Sequence, residues 1–151
     1  MNYYFECTIK YDKTQENGLP KKVTEKYLVE AVSFTEAEAR FIKEMASYIS
    51  GEYDIVAIKR LQIAELFESQ TQDADRYYKS KLTFICIDEQ AGKEKKSTKT
   101  VFVHATDFDD ARNTIQECMK GTLADWEKSS VQETTIMDVF KYEVEPGNQN
   151  S

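Results

Sequence analysis

The stretch Lys26-Tyr27-Leu28-Val29-Glu30-Ala31-Val32-Ser33-Phe34 is written a second time further along the chain, as Thr100-Val101-Phe102-Val103-His104-Ala105-Thr106-Asp107-Phe108. In both, a β-rich run gives way to a short polar residue, Ser33 or Asp107, with a carboxylate three positions on, Glu36 or Asp110. That is the spacing of a capping box, in which side chains satisfy backbone N–H groups left over at a helix start. Each stretch therefore predicts a strand running into a helix, and the fold follows from meeting this junction twice.

Beyond the junction the two helices carry matching apolar stripes: Phe34, Ala37, Phe41, Met45 and Ile49, then Phe108, Ala111, Ile115, Met119 and Leu123. Gly51 and Gly121 near their ends are expected helix stops. Upstream, Tyr4 to Tyr11 recurs as Tyr77 to Phe84. Phe5, Cys7, Ile9 and Tyr11 alternate with polar residues at the period of a half-buried strand, as do Tyr78, Ser80, Leu82, Phe84 and Cys86. Polar stretches follow, Asp12 to Lys22 with Asn17-Gly18 and Asp88 to Lys96 with Gly92, so each copy begins as a hairpin with a long loop. Downstream, Ile55 to Phe67 and Val131 to Phe140 each read as one last β element.

The expected fold is α+β, a tandem duplication of a β-β-α-β unit with helices packed on antiparallel or mixed sheets. A right-handed crossover makes strands two and three of each unit parallel. The first repeat is expected over residues 1–68 and the second over 77–142, with a polar linker from Glu68 to Arg76 and a disordered tail over 143–151. Each copy is near the size at which a core is marginal, so the two are expected to pack as one compact body.

Charge narrows the function classes. The chain carries a net −7, spread evenly: 9 basic against 12 acidic residues up to position 72, and 11 against 15 after it. Such a surface disfavours long-range attraction to nucleic acid or an anionic membrane. No apolar run approaches the ~18 residues that span a bilayer, and no N-terminal segment has the pattern of a secretory signal. Cys7, Cys86 and Cys118 are odd in number and widely spaced, as free thiols in a reducing compartment are. All three read as small buried hydrophobes, and the expected location is the cytosol.

Lys21 to Met45, Tyr48-Ile49-Ser50-Gly51-Glu52-Tyr53, Asp73-Ala74-Asp75-Arg76-Tyr77-Tyr78-Lys79, Met119-Lys120-Gly121-Thr122 and Ile136-Met137-Asp138-Val139-Phe140 together resemble an uncharacterised domain-of-unknown-function family. It occurs in Bacteroides and related bacteria and in their phages or mobile elements. The resemblance implies provenance and assigns no catalytic or binding residue.

Three groups of side chains are candidates for a site. His104 with Asp107, Asp109 and Asp110 combines an imidazole with carboxylates at a strand-to-helix turn, a ligand set suited to a divalent metal. The first copy also places acidic residues at its helix start, so capping accounts for Asp107 and Asp110 without a metal. Lys21, Lys22, Lys95 and Lys96 occupy matching loops and could contact an anion or nucleic acid, although Lys beside a strand edge also guards against mispairing. Tyr4 and Tyr77 fall on the polar parity of their strands, which makes them surface candidates for stacking. Trp126 is the single tryptophan. No phosphate-binding glycine loop, nucleophile elbow or His-Glu-x-x-His occurs.

The expectation is a non-enzymatic binding or adaptor protein acting through protein contacts, with no catalytic residues, cofactor or metal, an unidentified protein partner and no membrane partner. Self-association into a homo-oligomer is compatible with it. The alternative is an accessory nucleic-acid-binding protein using Lys21, Lys22, Lys95, Lys96, Tyr4 and Tyr77. A metal-dependent enzyme centred on His104 and the Asp107 turn ranks third.

Overall fold

A computed structural model of the chain describes residues 3–142, so the tail over 143–151 lies outside the described residues. The elements run β1 (Tyr3–Thr14), β2 (Pro20–Ala31), α1 (Phe34–Met45), β3 (Tyr53–Leu61), β4 (Glu65–Glu68), β5 (Arg76–Asp88), β6 (Lys93–Ala105), α2 (Phe108–Cys118), β7 (Asp125–Glu133) and β8 (Ile136–Phe140). The class is α+β, two helices with two mixed four-stranded sheets, and strands dominate. The described chain divides into two compact units, residues 3–61 with 136–142 and residues 62–135.

In the first unit the sheet order is β3-β1-β2-β8. β1 is antiparallel to both β2 and β3, so β2 and β3 point the same way with β1 between them, while β8 runs parallel to β2. Phe5, Cys7, Ile9 and Tyr11 of β1 and Tyr27, Val29 and Ala31 of β2 are buried with Ala37, Phe41 and Met45 of α1 and with Phe140. Phe34 starts the expected stripe but remains half exposed, its ring edge-on to Phe5 at 4.9 Å.

In the second unit the order β4-β6-β5-β7, read backwards, is strand for strand the same arrangement. β5 is antiparallel to β6 and β7, and β4 is parallel to β6. Tyr78, Leu82, Val101, Val103 and Ala105 are buried against Ala111 and Ile115 of α2 and against Phe67. α2 ends at Cys118, before the stripe reaches Leu123, which is fully exposed.

Three expectations need correction. The supposed loops Asp12 to Lys22 and Asp88 to Lys96 are mostly ladder: β1 and β2 pair out to Thr14↔Pro20, and β5 and β6 out to Asp88↔Lys93. The turns shrink to Gln15–Leu19, with Gly18 at φ 82°, and to Glu89–Gly92, with Gly92 at φ 64°. Both faces of these hairpin ends are exposed, so polar residues fill most positions and the period-two signal vanishes while the hydrogen bonding continues. The last β element of each copy is two strands, broken at Gln62–Ala64 and at Thr134-Thr135. β4 joins the sheet of β5–β7, and β8 joins the sheet of β1–β3. Ile63 and Ala64 carry the apolar run through the first break, and the β-branched Thr134 and Thr135 keep strand propensity through the second, so propensity alone does not reveal the change of sheet. The helices also stop short of Gly51 and Gly121, with Ala46 and Met119 as their C-terminal caps.

Candidate functional site

The acidic turn is built as a cap. Asp107 is extended and its carboxylate accepts the Asp110 N–H at 2.8 Å, as Ser33 Oγ accepts the Glu36 N–H at 3.1 Å. The return half of each box reaches one residue further than expected. Asp110 accepts from Thr106 N at 3.0 Å, and Glu36 from Val32 N at 3.2 Å. Asp110 also accepts from Ser69 Oγ at 2.8 Å, Thr71 Oγ1 at 3.1 Å and Thr106 Oγ1 at 3.2 Å. Partial desolvation opposes the Asp110 charge, but these donors outweigh it and hold the carboxyl below its ordinary pKa. His104 turns away from the cap: Nδ1 lies 2.8 Å from Glu68 Oε2, and its ring stacks on Tyr77 with centroids 4.4 Å apart. Among the described residues no group of three or more His, Cys, Asp or Glu is arranged to hold a metal ion.

The lysine and tyrosine candidates are dispersed. Lys21 and Lys22 sit opposite Lys13 and Asp12 near the end of the first hairpin, while Tyr4 sits opposite Glu30 near its base. Lys95 and Lys96 sit opposite Cys86 and Ile85, while Tyr77 sits opposite His104. Eight or nine residues of strand separate each tyrosine from the lysines of its copy, roughly 27–30 Å. Tyr77 is only 5% exposed, which corrects its assignment to the surface: polar parity at this position is taken up by stacking on His104. Cys7 is buried, and burial, with Glu6 and Glu38 nearby, pushes its thiol up to about 12. Cys86 and Cys118 are exposed, contrary to expectation. Cys86 keeps inward parity but lies at the exposed end of the hairpin, and Cys118 is the last residue of α2.

Two features escape the sequence reading. Phe84 and Trp126 are cross-strand partners on β5 and β7, with Lys99 Nζ 5.4 Å from the Phe84 ring centroid and Lys128 Nζ 5.2 Å from that of Trp126. This pairing depends on β7 reaching back to Asp125, where charged and polar residues hide the strand. The second feature is an edge that no strand covers among the described residues. β4 pairs only with Val101–His104 of the 13-residue β6, and Lys93–Lys99 are all exposed.

Two clefts belong to the second unit. One, of about 260 Å3, lies beside the cap and is lined by Glu68, Ser69, Asp110, Asn113, Thr114 and Glu117 among others. The other, of about 350 Å3, reaches from Phe67 to Phe84 and Lys99. Among the described residues no helix is long and apolar enough to cross a membrane. None of the curated proteins and none of the solved structures matches the chain. Residues 3–142 match a family model described as a domain of unknown function, DUF4494.

Proposed function

Because the chain belongs to this family of unknown function, its role has to be read from its own surface, and we propose a non-enzymatic protein-binding or adaptor module that pairs an extended acidic segment of a partner with the open edge of β6. The observation that supports the reading is the uncovered ladder over Lys93–Lys99. An unpaired strand edge presents N–H and C=O groups to any extended chain, and main-chain pairing to such an edge is a recurrent mode of peptide recognition. Lys93, Lys95, Lys96 and Lys99 oppose pairing with another basic edge and favour a strand bearing carboxylates. In the first unit β8 pairs with β2 only from Lys26 onward, which leaves Lys21 and Lys22 on a comparable edge.

Displayed libraries of extended peptides supply the test. Acidic sequences are expected to be selected, to protect amides within Lys93–Lys99 from hydrogen exchange, and to lose affinity with salt. Binding should fall when Lys95 and Lys96 are replaced by Glu. It should also fall with one of Ser97→Pro and Thr98→Pro, since neighbouring N–H groups point to opposite edges. A selected peptide that leaves those amides unprotected would sink the reading.

One observation favours a second reading, contact with single-stranded nucleic acid: Phe84 and Trp126, half-buried at the margin of the second core and each with a lysine over its ring, could offer their outer edges for stacking. A salt-sensitive gel shift with labelled oligonucleotides, quenching Trp126 fluorescence and lost in Trp126→Ala, would put that reading first. The matching topologies and paired capping boxes support descent by tandem duplication of a β-β-α-β unit. Cysteine usage supports a cytosolic location, and the resemblance to sequences of Bacteroides and their phages supports an origin in a mobile element.

A further inference from the structure

The cleft beside the α2 cap has a counterpart in the first unit that is already filled. Val29 pairs with Phe140 there and Val103 pairs with Phe67 in the second unit, so His104, Glu68 and Ser69 stand where Glu30, Lys141 and Tyr142 stand. The two caps, Ser33 and Asp107, likewise put Thr114 at the position of Arg40 and Glu117 at that of Lys43. In the first unit the Arg40 guanidinium donates to the backbone oxygen of Glu30, donates to that of Lys141 at 3.0 Å, and lies over the Tyr142 ring at 4.4 Å. In the second unit the carbonyl that matches that of Glu30, on His104, accepts the Ser69 N–H at 3.0 Å, while the Thr114 and Ser69 side chains are too short to fill the rest of this place, and the cleft of about 260 Å3 opens there.

The charges change with the shape. Arg40, Lys43 and Lys141 give way to Thr114, Glu117 and Glu68, so three cationic positions become one neutral and two acidic, with the Asp110 carboxylate on the same wall. Lys120 is the local counter-charge, and the His104 imidazole is a further neighbour. His104 is held by Glu68 at 2.8 Å, and Lys120 meets Glu117 at 2.9 Å on the exposed side of the helix. The cleft has lost its own cation and gained carboxylates around the vacated space.

From this juxtaposition we infer that the cleft lined by Glu68, Ser69, Thr114 and Glu117 is a receptor site for an arginine side chain of a protein partner, taking the place that Arg40 fills internally in the first unit. The inference rests on reading the chain as a protein-binding module, and it adds the side chain that the partner presents. Arginine suits the site better than lysine, because the Arg40 precedent uses two nitrogens of one planar fork on two separate oxygens.

The test is a titration of the full chain with N-acetyl-arginine amide, followed by backbone amide resonances, with the neutral isostere N-acetyl-citrulline amide as control. Saturable shifts are expected at Ser69, Thr71, Asn113 and Glu117, with the arginine compound binding about 10-fold tighter than the citrulline one, as a charge-assisted contact warrants. Thr114→Arg should place the cation in cis and abolish the shifts. If that variant folds poorly, Glu117→Lys, which restores the first-unit residue on an exposed helix position, should weaken binding instead. Unmoved resonances, equal affinity for both compounds, or wild-type binding by a folded Thr114→Arg variant would overturn the inference. Protection of Lys93–Lys99 by acidic peptides is a separate readout, so either proposal can fail while the other stands.

Discussion

At the scale of single residues, Asp107 separates capping from ligation. Its carboxylate accepts one backbone N–H, a task that Ser33 performs with a hydroxyl in the first unit. Asp107→Ser should therefore leave stability nearly unchanged, whereas Asp107→Ala should cost about 0.5–2 kcal/mol in chemical denaturation. A micromolar Zn, Mn or Mg site found by calorimetry and abolished by Asp107→Ser or by His104→Ala would instead make the turn a metal site. Glu25 is a second such residue: only 8% exposed, it accepts from Tyr11 Oη at 2.7 Å and Tyr27 Oη at 3.0 Å. Two donors bound to one buried carboxylate predict that Glu25→Leu lowers stability by about 1–3 kcal/mol, since both hydroxyls lose a partner. Of the candidate site residues, those whose role is local were legible in the sequence. Asp107 and Asp110 announce a cap by spacing alone, but Arg40 and Thr114 acquire meaning only when helix position and strand register are known together. Tyr77 was misread because parity tells which face a residue takes and says nothing of what covers that face.

At the scale of elements, the stripe positions Phe41 and Ile115 are fully buried between helix and sheet. Phe41→Ala and Ile115→Ala should each destabilise by about 2–5 kcal/mol, measured as a shift in denaturant midpoint. β1, β2, β5, β6 and both helices were visible because over part of its length each buries one face and leaves the other wet, which writes a period into the sequence, whereas β3 with β4 and β7 with β8 read as single elements. Lys93–Lys99 show why the hairpin ends were not: with both faces in solvent, register is carried by backbone hydrogen bonds alone and leaves no apolar pattern. The breaks after Leu61 and Glu133 were hidden for the opposite reason. Ile58, Ile63 and Phe67 stay apolar across the first break, while the second is marked only by the polar run Gln132-Glu133-Thr134-Thr135, whose two β-branched threonines still read as strand.

At the scale of the whole molecule, alkali should act first on the first unit, although burial also raises the Cys118 thiol of the second. Burial, with the hydrogen bond to Glu25 and its charge, pushes Tyr11 up to about 12, and burial with the Glu25 charge also raises Tyr27. Cys7 is raised as well, and all three lie in the first unit. These groups stay protonated in the folded chain while the unfolded chain releases its protons from pH ~9 upward. The stability they contribute is thus complete below pH 9 and declines as pH rises toward 12. Tyrosinate absorbance should reveal loss of the first unit in that window before Trp126 fluorescence, which reports the second unit, changes. Removal of residues 136–151 should likewise unfold the first unit while Trp126 keeps its emission, and a synthetic peptide spanning 134–142 added in trans should restore it. The exchanged final strands also impose an order on folding during synthesis. The second sheet has all its strands by Glu133, but the first must wait for β8, which leaves the ribosome 75 residues after Leu61. β2 itself ends 105 residues before β8 begins (136 − 31), so at ~5–20 residues per second its open side stays uncovered for roughly 5–21 s in every newly made chain, and a nascent-chain chaperone has that interval in which to act.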